Sequence, residues 1–174
     1  MPDLGAHAEE IAPDFENIQA ALFWGFEHAV DRACAFAVAL DGGYMAFHKP
    51  YPVRRQLLEA AQRAEGQSDL SQAHTLQSLG DLERLEDNYG AARERYNQAL
   101  ALAHQIPDTV CQLNCLIGLA RLERAQGNRE AACAQYAALF RLTDSLPAFA
   151  SHPTVQDWKR EAAEYCDGRS ESGA

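Results

Sequence analysis

Residues 79–102 read LGDLERLEDNYGAARERYNQALAL, and residues 119–142 read LARLERAQGNREAACAQYAALFRL. The two stretches superpose without a gap at a shift of 40. Identical pairs include Leu79/Leu119, Leu82/Leu122, Glu83/Glu123, Arg84/Arg124 and Asn88/Asn128, then Ala91/Ala131, Ala92/Ala132, Tyr96/Tyr136 and Leu102/Leu142. Many matched apolar positions lie three or four apart, the spacing of one helical face. Asp87-Asn88 and Gly127-Asn128 are turn and N-cap residues. Each copy is therefore helix, tight turn, helix. Neither helix buries its apolar stripe alone, so stacked neighbours must supply the missing surface.

Proline sets the punctuation around these copies, because it breaks a helix interior. Pro107 and Pro147 are 40 apart and bracket the second copy. The pattern predicts helices over about 14–29, 31–47, 52–65, 70–86, 89–106, 108–126, 129–145 and 154–166, with Pro52 in a first turn where it is tolerated. Residues 1–13 and 167–174 read as disordered tails.

Composition agrees. Of 174 residues, 32 are Ala, while Val and Ile total 9 and Thr 4. That excludes an all-β fold or a large sheet. The formal net charge of −10 opposes a phosphate backbone or an anionic membrane surface, so neither nucleic acid nor membrane is expected as a partner. The longest apolar run, Ala33 to Leu40, is far short of the roughly 20 residues a spanning helix needs. Five Cys, an odd number without framework spacing, suit a reducing cytoplasm. Arg outnumbers Lys 13 to 2, which with the alanine content suggests a bacterial source.

The 79–102 stretch resembles a tetratricopeptide repeat through Leu79, Gly80, Tyr89, Ala92, Tyr96, Ala99 and Leu100. The next copy follows with Leu119, Ala120, Gly127, Asn128, Ala132 and Tyr136, then departs at Leu139 and Phe140. The resemblance implies that Gly80 and Ala92 are small because two helices cross there closely, and that Tyr96 fills the gap toward the next repeat. Glu83 and Glu123 stand where an aromatic is common, and are expected to be more exposed. A fainter earlier copy, about 31–66, places Asp41 or Gly42 at the close contact and Leu57 or Leu58 at the tyrosine position. The stretch DFENIQAALFWGFEH (14–28) is similar to the helix opening the repeat arm of bacterial STAND-type regulators, and Arg54-Arg55-Gln56-Leu57 approximates a second motif of that arm.

Catalytic motifs are absent: the chain has no phosphate-binding GxxxxGK[ST] loop, GxGxxG, HExxH or GxSxG. No catalytic residue, cofactor or metal ligand is assigned. Cys111 and Cys115 are four apart on one helix and Cys133 lies on its partner; buried packing of these thiols is the expected reading, with a shared metal as its rival. Family placement puts His74, Gln77, Asp81 and Arg84 of one repeat, and Asn114, Ile117, Arg121 and Arg124 of the next, on the concave face. Three Arg against one Asp there predict a local positive groove, with ion pairing to Asp81 and Glu123 as the alternative. On the first helix, Phe15, Ile18, Leu22 and Phe26 form the buried stripe. Trp24 falls to one side, either packed on the second helix or exposed as a docking aromatic.

The expectation is one all-α solenoid domain over 14–166: a leading helix, hairpins at about 31–66, 70–106 and 108–146, and a capping helix at about 153–166. Its function would be docking a peptide or helix of a protein partner in the concave groove, without enzyme activity. The alternatives are a sensor arm of a STAND-type ATPase transcription regulator, or a structural homo-oligomer.

Overall fold

The computed structural model describes residues 11–168, and every element in that range is helical. No helix among the described residues is long and apolar enough to cross a membrane. The chain divides into two compact units, one ending at Cys111 and one starting at Gln112.

In the first unit, a 3-10 turn (Ala12–Asp14) leads into α1 (Phe15–His28) and α2 (Val30–Leu40). The turn spans the end of the N-terminal tail expected over 1–13 and Asp14, the expected first residue of the domain; residues 1–10 and 169–174 of the two expected tails lie outside the described residues. Phe15, Leu22 and Phe26 are buried with Ile18 packed beside them, which is the stripe that the α1 periodicity predicts. The second helix was expected to run as one piece to Phe47. Instead α2 passes into a π-helical turn (Asp41–Met45) and a short last turn (Ala46–His48). Gly42 and Gly43 are poor helix formers, and this turn buries Asp41. Its carboxylate accepts from Arg54 Nε at 2.7 Å and Nη2 at 3.1 Å. A β-carbon on Gly42 would meet nothing within 4 Å, so Gly42 is no close-contact residue.

Arg54 belongs to α3 (Tyr51–Arg63), which carries Pro52 in its first turn as expected. Both leucine alternatives are buried. Leu57 joins the cluster of α1 and α2, while Leu58 packs with Leu79 and Leu82 of α4 (Asp69–Leu85). Ser68 caps α4 by accepting from Ser71 N, and Asp31 of α2 accepts from Ser68 N at 2.9 Å, Ser68 Oγ at 2.8 Å and Ser71 Oγ at 2.6 Å. These three bonds hold the Asp31 carboxyl below the usual range, the Ser71 hydroxyl contributing most.

The first 40-residue copy forms the hairpin of α4 and α5 (Tyr89–Gln105). A β-carbon on Gly80 would lie 2.8 Å from Tyr96 Cδ1. The glycine is therefore required, as expected, and the ring it makes room for is that of Tyr96 in its own hairpin. At the turn, Asp87 takes the left-handed conformation at φ 60°. Asn88 N donates to the Glu83 carbonyl at 2.9 Å, and Asn88 Nδ2 to the Glu83 carboxylate at 3.0 Å.

Glu83 is 7% exposed and Glu123 4%, which overturns the expectation that both face solvent. Glu83 closes the turn on Asn88 and receives Arg55 Nη1 at 2.6 Å, which accounts for its burial. Arg55 also pairs with Glu86.

In the second unit, the body of α6 (Thr109–Ala125) pairs with α7 (Arg129–Asp144). The same turn recurs: Gly127 has φ 74°, and Asn128 donates through N to the Glu123 carbonyl and through Nδ2 to its carboxylate, both at 2.9 Å. Glycine suits the left-handed position that Asp87 occupies at a conformational cost. A short turn, α8 (Pro147–Ala150), precedes α9 (Pro153–Cys166). Cys133 of α7 and Cys166 at the end of α9 form a disulfide. That corrects the reading of Cys133 as a reduced packing residue.

Candidate functional site

The eight residues expected on a concave face divide evenly between the two units. On α4, Asp81 is surrounded by donors from its own hairpin. Tyr96 Oη donates to Oδ1 at 2.7 Å, Gln77 Nε2 donates to Oδ2, and Arg84 Nη2 lies 3.7 Å away. Gln77 is 8% exposed. Arg84 Nε reaches the Tyr96 oxygen at 3.4 Å. Burial and the charge of Asp81 push the Tyr96 hydroxyl far above its usual range, so it stays a donor. His74, one turn earlier, sits 2.7 Å from Asp108.

On α6, Ile117 is buried and Asn114 half-buried. Arg121 and Arg124 converge on one carboxylate, Glu161 of α9. Arg121 Nε donates at 3.1 and 3.2 Å and Nη2 at 2.8 Å; Arg124 Nη1 donates at 3.4 Å. Tyr136 Oη adds a bond of 2.8 Å. Burial alone would raise the Glu161 carboxyl; the bonds from Arg121 and Tyr136 and the two positive charges outweigh it and hold the pKa below the usual glutamate value. The Tyr136 hydroxyl is pushed up to about 12 by burial and by that carboxylate. Arg121 and Arg124 are ion-paired inside the unit to Glu161, an acceptor outside the expected pairings, while Arg84 pairs with Asp81 as the alternative reading had it.

Glu161 is the residue that sequence reasoning missed. Its signal was the register: the shift of 40 that takes Asp81 to Arg121 takes Arg121 to Glu161. Tyr96 donates to Asp81 of its own hairpin. Where the second copy substitutes Arg121, Tyr136 needs another acceptor, and α9 supplies it.

Trp24 takes the exposed alternative. It is 62% exposed, with its ring stacked on His28 at 4.2 Å between centroids. With Phe36 of α2, 41% exposed, it lines a cleft of about 350 Å³ between α1 and α2. The floor is apolar: Ile18, Ala21, Leu22, Gly25 and Ala33. Arg32 supplies a charged group at this cleft.

Among the described residues, one group has metal-ligand chemistry: His74, Asp108 and Cys111. It shares only Cys111 with the thiol trio considered from sequence, whose Cys133 is committed to Cys166.

A scan against protein-family models and searches of curated proteins and solved structures return no match.

Proposed function

We propose that this chain is a protein-interaction module of tetratricopeptide-like hairpins, and that its docking face is the apolar cleft between α1 and α2. The repeated hairpin, with its Gly80–Tyr96 crossing and its two matching Glu–Asn turns, supports the architecture. The observation that carries the function is Trp24, more than half exposed beside Phe36 at the mouth of an apolar cleft. Large aromatics bury much area at low entropy cost and are enriched in interface hot spots. The occupant that fits is an amphipathic partner helix placing apolar side chains at i and i+3 or i+4 on the cleft floor. Arg32 favours an acidic residue at the edge of that helix.

The concave residues have a different role in this reading. Arg84 bonds within its own hairpin, and Arg121 and Arg124 bind α6 to α9. The test compares partner capture by the wild-type chain and by Trp24→Asp plus Phe36→Asp, both substitutions lying at exposed positions. Loss of specific capture with the helical circular-dichroism signal unchanged supports the docking face. Unchanged capture removes it. The exposed aromatics also favour a second copy as occupant, which light scattering reads as a dimer mass that the same double substitution abolishes.

A further inference from the structure

We propose that His74, Asp108 and Cys111 form a binding site for a single borderline-soft divalent cation, with Zn²⁺ the best chemical match. One nitrogen, one oxygen and one sulfur donor lie within 4.8 Å of one another, all in the first unit. The donor set suits zinc, which takes imidazole, carboxylate and thiolate in tetrahedral sites.

The geometry of Asp108 is the second observation. Its Oδ1 caps α6, accepting from Val110 N at 3.1 Å and Cys111 N at 3.2 Å. That cap fixes the side chain and turns Oδ2 toward the other two donors. Oδ2 is buried and has no hydrogen-bond donor among the described residues. His74 Nε2 is only 2.7 Å from it, a contact that is an ion pair only when the imidazole is protonated. A cation between them would use both lone pairs.

The spacing requires small movements. Bonds of about 2.0–2.3 Å to a tetrahedral zinc place its ligand atoms roughly 3.3–3.6 Å apart. His74 must draw back slightly from Asp108, and its side chain is 28% exposed. It also lines a cleft of about 350 Å³ with Cys34 and Leu70, which brings solvent to the ring. Cys111 loses its proton to solvent on binding. A thiolate and a carboxylate then balance the charge of the ion, and the α6 N-terminus favours both anions. Water takes the fourth position. The bound ion would tie α4 to the start of α6.

The probes are Zn²⁺ and Co²⁺ alone, added to the chelator-stripped full chain. One equivalent of Co²⁺ should give a thiolate-to-metal absorption band, and Zn²⁺ should displace it. His74→Ala, at a half-buried position, should weaken Co²⁺ binding by about tenfold or more. Cys111→Ser should abolish the band; if it fails to fold, the His74 variant alone decides. A stripped wild-type chain that takes up no Co²⁺, or a His74→Ala variant that binds it equally well, would overturn the site.

Discussion

Tyr136 on α7 donates its hydroxyl proton to Glu161 on α9 at 2.8 Å, and the same carboxylate receives Arg121. The last helix is thereby fastened to the hairpin before it through one glutamate, half-sheltered from solvent. Glu161→Gln keeps the shape and removes the charge. It should lower the stability of the second unit by about 1–2 kcal/mol, less than a buried pair because the Arg121 side chain is 40% exposed. Urea titration followed by circular dichroism reads this as a lowered midpoint.

The same carboxylate makes stability fall in acid. Arg55 holds Glu83 below the usual glutamate value, and Arg121 with Tyr136 outweighs burial to do the same at Glu161. A depressed folded-state pKa contributes stability that is fully present above the ordinary value of 4.5 and is lost as pH falls through the lowered one. Urea midpoints should therefore drop between about pH 5 and pH 3. The double variant Glu83→Gln plus Glu161→Gln should show a flatter profile over that window, and an equally steep one would assign the acid sensitivity elsewhere.

The Gly80–Tyr96 crossing gives a steric test. Gly80→Ala places a methyl group 2.8 Å from the Tyr96 ring and should cost about 1–3 kcal/mol. Gly90→Ala, at a helical position with nothing within 4 Å, should instead stabilise by about 0.5–1 kcal/mol. Opposite signs in thermal melts check both.

The Cys133–Cys166 disulfide predicts a thiol count. Alkylation in denaturant should label three of the five cysteines, Cys34, Cys111 and Cys115, and all five after reduction. Reduction should also destabilise the second unit by roughly 2–4 kcal/mol, since the bridge restrains its unfolded chain.

The hairpins were legible because helical periodicity is local. Leu79, Leu82, Ala92 and Tyr96 announce their faces within a few turns, and Asn88 and Asn128 mark the turns. Glu83 misled because its burial depends on Arg55, 28 residues earlier and on another helix. Glu161 had only the register as a signal, because α9 shares the register of the repeats and almost none of their residues. The disulfide could not be read from spacing, since pairing depends on where two helices end in space. At Trp24, periodicity placed the ring off the buried stripe, but only the packing of α2 decides whether anything covers it. His74 was assigned to a binding face from family placement alone, and its proximity to Asp108 and Cys111 needed the fold.

The most direct test of the docking face places benzoylphenylalanine at position 24, in place of Trp24, and irradiates the chain in its native cells. A control chain carries the same group in place of the exposed Glu94. The expected result is a discrete adduct heavier than the 19.2 kDa chain from position 24 and none from the control, its mass identifying either a partner protein or a second copy. The contradicting result is no adduct from position 24, or the same adducts from both positions.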